Sequence, residues 1–286
     1  GAQLIYSSIS SIKKSEESLN IIFRDLLSGL KPNKNEKKNT FGKNFKKNIE
    51  FEKINFSYEN NKKLIIKNLN LKIVKNEKIA LVGKTGSGKS TFIDLITGLL
   101  TPTSGKIIID GVELTTDKIA GWQENINYLP QKMFFFDRSL KENIAIGQQS
   151  DQIDEEKIKQ ANEFAELNLD EMSISLNTNI GESGDRLSGG EKQRVGIARL
   201  FYNMKNLLIF DESMNAIDVK TESKIFDRII DLKKTVLFVT HNLSHLKKFD
   251  KIIFFSNEEI LIGTYDELIK KSKNFDLLTK IENDNK

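Results

Sequence analysis

Apolar positions along this chain change period several times, and each change marks a part. Within residues 4–27 they fall at Leu4, Ile5, Ile9, Ile12, Leu19, Ile22, Phe23, Leu26 and Leu27, mostly at helical spacing, with serines, Lys13 and Lys14 between them. This predicts a helix within residues 1–30 that is too polar to span a bilayer. Residues 31–48 carry no period: lysines and asparagines surround Pro32 and Gly42, as in a solvated connector. Residues 49–130 predict an antiparallel strand region and half of a core. That half holds an apolar strand, Ile79-Ala-Leu-Val82, an amphipathic helix over 90–100, and a strand over 106–109 that ends in an Asp110-Gly111 turn. Residues 131–204 read as a helical lobe, with helices over 139–144, 154–167 and 190–202. The stretch 206–256 returns to the core with two buried strands, 207–210 and 236–239. Gly263-Thr-Tyr-Asp-Glu-Leu268 then opens a helical tail. Strands alternating with helices predict an α/β fold, and 286 residues suffice for one large core.

Charge changes this picture only locally. The chain has 44 basic and 40 acidic side chains; seven lysines and one glutamate lie in residues 31–48, which leaves 37 basic and 39 acidic residues elsewhere. The basicity therefore belongs to the connector, and no nucleic acid is expected as a partner. The connector's lysines serve solubility or attract anionic membrane lipids, and both readings stand. The chain has no cysteine, which excludes a disulfide framework and a thiolate metal site.

Candidate chemistry concentrates in three segments. Gly83-Lys-Thr-Gly-Ser-Gly-Lys-Ser90 follows an apolar strand and opens a helix, the setting a phosphate-binding loop needs. Gly83, Gly86 and Gly88 let the backbone of this loop, with Lys84, Thr85 and Ser87, turn its amides toward an anion, and the helix adds its positive end. Lys89 is placed to reach the β and γ phosphates, Ser90 to bind Mg2+, and Thr91 to lie near the α phosphate. Leu207-Leu-Ile-Phe-Asp-Glu212 is an apolar strand that carries two carboxylates out at its end. Asp211 would hold Mg2+ through water, and Glu212, pointing the other way, would polarise an attacking water. Leu187-Ser-Gly-Gly-Glu191 makes a second helix start suited to an anion, through the Ser188 hydroxyl and the amides of Gly189 and Gly190.

On these three segments, residues 49–268 resemble the nucleotide-binding domain of ATP-binding cassette (ABC) transporters. The resemblance implies a P-loop NTPase with a RecA-like core, an antiparallel β subdomain and an α-helical signature subdomain. It implies that ATP with Mg2+ is bound between two copies of the domain, and that Ser188, Gly189 and Gly190 meet the γ phosphate held by Lys89 of the other copy. Tyr58 would stack on adenine, Gln131 would approach Mg2+ and the water, and His241 would contact the γ phosphate and orient Glu212. Asp218 ends Asn215-Ala-Ile-Asp218 at the D-loop position, where the family more often has Ser-Ala-Leu-Asp. Met214 likewise replaces the usual threonine. His245 is expected on a helix surface.

Other stretches resemble the exporter branch of the family. Gly181-Glu-Ser-Gly184 is similar to the X-loop, and Met133-Phe-Phe-Phe-Asp137 to the groove that receives a coupling helix. The N-terminal helix is similar to the cytoplasmic end of the last transmembrane helix. The chain also begins Gly1-Ala2 and not with Met, so it is read as a fragment of a longer membrane protein, with a small cloning remnant, working at the cytoplasmic side of the cell membrane. Its partners would be a transmembrane domain and a second copy of itself. Two alternatives stay open: the ATPase subunit of an importer, or a soluble ABC ATPase acting on DNA or ribosomes.

Overall fold

The structure is a computed structural model that describes residue 23 and residues 45–58, 63–256 and 259–284. The helix expected within residues 1–30 and the connector up to residue 44 lie outside the described residues, residue 23 apart. The chain divides into units 1–39 and 40–286, and both sheets lie in the second.

In chain order the strands are β1 (Asn48–Phe56), β2 (Ile66–Val74), β3 (Lys78–Gly83), β4 (Ser104–Ile109), β5 (Val112–Glu113), β6 (Ile126–Leu129), β7 (Leu207–Asp211), β8 (Thr235–Val239), β9 (Lys251–Phe255) and β10 (Ile260–Gly263). The helices are α1 (Lys89–Ile96), α2 (Ile119–Gln123), α3 (Leu140–Ile144), α4 (Glu155–Phe164), α5 (Gly189–Tyr202), α6 (Val219–Asp231), α7 (Tyr265–Lys271) and α8 (Lys273–Asp284). One sheet is antiparallel, in the order β2-β1-β4-β5; the other runs β10-β9-β3-β8-β7-β6 and is parallel except at its β10 edge.

The sequences of the strands explain the layers. Every residue of β3 and β8 is buried, as is usual for parallel strands covered on both faces. Alternate residues serve opposite cores. Ala80 and Val82 pack with Phe210, Phe238 and the helical lobe, whereas Ile79 and Leu81 pack with Ile209, Leu237, α1 and the antiparallel sheet. The parallel sheet is thus clamped between two apolar masses, and its strand ends are fixed relative to each other.

Several boundaries differ from those the sequence predicts. The stretch after residue 206 holds a third buried strand, β9, because Ile252-Ile-Phe-Phe255 is apolar enough to pair beside β3 despite its short length. Helix α1 stops at Ile96 and not at 100: Gly98 follows at φ 75 and turns the chain back. Helix α4 stops at Phe164, two residues before Glu166 at φ 53. Asp110-Gly111 does form a two-residue hairpin turn, both residues at positive φ, with Ile109 paired to Val112. The Asp110 carboxylate also accepts the backbone amides of Lys46, Lys47 and Asn48, and the buried Phe45 lies edge-on to Trp122 at 5.9 Å. Among the described residues, packing on this domain already includes Phe45, ahead of residue 49. His245 is not on a helix surface: its ring stacks on Phe226 at 4.4 Å, beside the short turn Leu246–Lys248.

Candidate functional site

The loop between β3 and α1 wraps as its glycines require. A Cβ on Gly83 would stand 2.5 Å from the Phe255 carbonyl oxygen, so β9 leaves room only for hydrogen. Gly88, at φ 108, precedes α1 with no side chain capping the helix, which leaves its first amides open to an anion. Lys89 is 7% exposed, and its Nζ donates to the carbonyls of Gly83 at 2.7 Å and Lys84 at 3.0 Å. Burial lowers its pKa, and the charges of Glu212 and Asp211 oppose that shift. Thr91 Oγ1 lies 3.2 Å from the Tyr58 hydroxyl, and the Tyr58 ring, edge-on to Phe56, stays 43% exposed.

Strand β7 delivers the two carboxylates to the same end of the sheet. Asp211 Oδ2 accepts from the Tyr128 hydroxyl at 2.8 Å. Burial pushes the Asp211 carboxyl up; the Tyr128 hydrogen bond pulls it down, Glu212 raises it and Lys89 lowers it. Asp94 on α1 is also raised, first by burial and then by Asp211. Glu212 sits at φ 49, a left-handed conformation that costs a side chain ~1 kcal/mol or more. The turn is held by its own amide, which donates to Val239 in β8. Its two oxygens are divided: Oε1 lies 2.7 Å from His241 Nε2, and Oε2 accepts from Gln131 Nε2 at 3.2 Å. Gln131, Glu212 and His241 thus meet at the ends of three adjacent strands, with Lys89 in electrostatic reach.

Ser188 caps α5. Its hydroxyl accepts the Glu191 amide at 3.3 Å, and the Glu191 carboxylate accepts the Ser188 amide at 2.7 Å. A Cβ on Gly190 would come within 2.8 Å of the Ala216 carbonyl oxygen, and the Ala216 amide donates to Gln193 at 2.7 Å. The helix start therefore packs on the loop before Asp218. Asp218 caps α6 through the Thr221 amide, a bond that holds its exposed carboxyl below the ordinary range. Gly189 stands beside Ala216, while Lys84, Thr85 and Gly86 remain on the loop's outer turn. Gly181-Glu-Ser-Gly184 forms the short turn Glu182–Gly184.

Sequence reasoning passed over four residues. Tyr128, Asp94, Gln193 and Arg199 had no assigned role, although Tyr128 lies on the Asp211 face of neighbouring strands by simple alternation. Arg199 on α5 donates to the carbonyls of Asn143 and Phe134 and lies over the Phe135 ring; burial pushes its pKa down to about 10. It anchors a loop whose flanking Phe134 and Phe136 are 65% and 45% exposed and meet edge-on at 5.1 Å.

A parallel sheet flanked by helices, with a glycine-rich loop from β3 into α1 and acidic residues at the end of β7, defines a P-loop nucleoside triphosphatase fold. The sequence model of the ABC transporter family matches residues 66–215, and the chain belongs to that family. A protein of Bacillus subtilis (strain 168), YgaD, provisionally named a multidrug export ATP-binding/permease protein, is 36% identical over 242 residues. A Staphylococcus aureus (strain bovine RF122 / ET3-1) protein of the same provisional name is 38% identical over 243 residues. Each alignment covers 82% of this chain and 41% of the relative. The solved structure of a bacterial Atm1-family ABC exporter with ATP bound matches at a TM-score of 0.74 and 27% identity, over 82% of this chain and 42% of that one. The chain thus spans less than half the length of these relatives. Among the described residues, no helix is long and apolar enough to cross a membrane.

Proposed function

We propose that this domain binds and hydrolyses ATP as the motor of an ABC exporter. The observation that carries the reading is Glu212, held between His241 and Gln131 at the end of β7 and facing the charge of Lys89. A carboxylate in that position can take a proton from water as its oxygen attacks the γ phosphorus and the bond to the bridging oxygen breaks. His241 keeps the carboxylate aimed. Lys89 would leave the Gly83 and Lys84 carbonyls for the phosphates, with the loop amides of residues 83–88 beneath them. Tyr58, half exposed beside Thr91, would stack on the adenine.

The oxygen donors fit Mg2+. Ser90, Asp211 and Gln131 would be hard oxygen ligands at one end of the sheet, and among the described residues no group of three or more His, Cys, Asp or Glu could hold a metal ion. Phosphate oxygens and water would complete the shell; the bound ion would neutralise charge on the phosphates.

Ser188, Gly189 and Gly190 would meet the γ phosphate of a second copy, with Asp218 at the same seam. The exposed Phe134 and Phe136 would receive a helix of a transmembrane domain, and the names of the relatives, which join ATP-binding and permease parts, support export over import. The domain would then work at the cytoplasmic face of the cell membrane, with residues 1–30 as the last transmembrane helix's continuation and 31–48 as a connector near lipid. The Glu212→Gln chain tests the reading. It should bind MgATP as the wild type does, lose roughly 100- to 10,000-fold in turnover, and sediment as a dimer when MgATP is present. Undiminished turnover would remove Glu212 from the chemistry.

A further inference from the structure

Beyond Gln131, the strand that leads to it makes a second contact with the acidic pair. Strand β6 pairs with β7 in parallel register, Tyr128 opposite Ile209, so Tyr128 and Asp211 project from the same face, two residues apart along the strands. The Tyr128 hydroxyl spans that diagonal and donates to Asp211 Oδ2 at 2.8 Å. Three residues on, Gln131 donates to Glu212. One strand end therefore holds both carboxylates of the next.

We propose that Tyr128 is a positioning residue for the metal end of the site, fixing Asp211 by one oxygen so that the other faces the cation. This rests on the proposed binding of MgATP. Two observations separate it from ordinary packing. First, the Tyr128 side chain is 43% exposed, whereas its neighbour Leu129 is 3% exposed and belongs to the core, so burial does not account for an aromatic at 128. Second, Asp211 stands in the field of two other carboxylates, Asp94 and Glu212, with Lys89 as the nearby cation. Repulsion from the two acids would favour rotation of an Asp211 carboxylate that lacked this hydrogen bond. The neutral hydroxyl opposes that rotation without cancelling the charge the cation needs. Because Tyr128 and Gln131 share one strand end, a displacement of that end would loosen both carboxylates together.

Tyr128→Phe keeps the ring and removes only the donor. Titrating Mn2+ into the full chain saturated with a non-hydrolysable ATP analogue, and following the ion by electron paramagnetic resonance, reads the metal end directly. Losing a hydrogen bond to a charged group should raise the half-saturating Mn2+ concentration by about 10-fold, while affinity for the analogue in EDTA stays within about 2-fold. Added to Asp211→Asn, the same substitution should raise it no further. An unchanged Mn2+ titration, or equal loss of analogue affinity with and without metal, would overturn the assignment. A wild-type chain that binds the analogue no better with metal than in EDTA would sink the MgATP reading, and the Tyr128 role with it.

Discussion

The two helix starts that carry the glycine motifs are built in opposite ways. At α1, Gly88 offers no side chain, so the first amides have no internal partner, and Lys89 is spent on two loop carbonyls. At α5, Ser188 and Glu191 close a reciprocal capping box over the same kind of amides. The first end leaves its opening amides uncapped by any side chain; at the second the chain itself pairs the Ser188 and Glu191 amides, and Gly189 and Gly190 stand between them. An anion at α1 would meet uncapped amides and Lys89, whereas at α5 it would share the Ser188 hydroxyl with the Glu191 amide. This asymmetry suits the proposed clamp: the nucleotide would stay with the loop of one copy, while its contact with the other copy's signature would remain weak enough to be undone.

The sharpest way to break this comparison is Lys89→Ala. If the loop supplies most of the nucleotide affinity, removing its charge should weaken ATP binding by roughly 10- to 100-fold, read from a fluorescent-nucleotide titration. Thermal melts should confirm that the domain stays folded. Unchanged affinity would mean that phosphates are not held there. Ser188→Ala probes the other end with a smaller expected effect. ATP affinity at dilutions where the chain is solitary should not change, whereas nucleotide-driven dimerisation should weaken and the helix lose about 1 kcal/mol of capping. If both variants lowered solitary-chain affinity equally, the division of labour between the two ends would be wrong.

The same contrast explains what the sequence made legible. The loop at 83–90, the carboxylates at 211 and 212 and the cap at 188 each depend on contiguous residues, and local physics reads them directly. The divided grip on Glu212 was legible only in part, because His241 and Gln131 reach it from strands 29 and 81 residues away in sequence. Tyr128 was invisible for a different reason. Its role depends on which strand lies beside β7 and in what register, and that information is spread across the whole sheet. Strand β9 was missed because four apolar residues between Lys251 and Ser256 resemble a buried turn until β3 supplies the pairing edge. His245 found Phe226 through packing between α6 and the turn after β8, which no local pattern announces.

A third helix start measures what a closed capping box contributes when no ligand is involved. At α3, Ser139 and Glu142 form the same reciprocal cap as Ser188 and Glu191, and Ser150 adds a hydroxyl at 2.7 Å. The Ser139 hydroxyl, then Ser150 and the Ser139 amide, hold the Glu142 carboxyl down at about 2, against an ordinary 4.5. Because the folded value lies below the unfolded one, the ionised carboxylate stabilises the native state fully above about pH 4.5, and that stability is lost as the pH falls toward 2. Glu142→Gln keeps the cap's geometry but removes the charge. After allowance for solvent screening at this surface site, the variant should be about 0.5 kcal/mol less stable at pH 7. The gap in urea midpoints should close between pH 4.5 and pH 2. A gap that stayed constant with pH would show that the hydroxyl hydrogen bonds, and not the carboxylate charge, make the cap, and the closed state inferred for Ser188 would then rest on those neutral bonds as well.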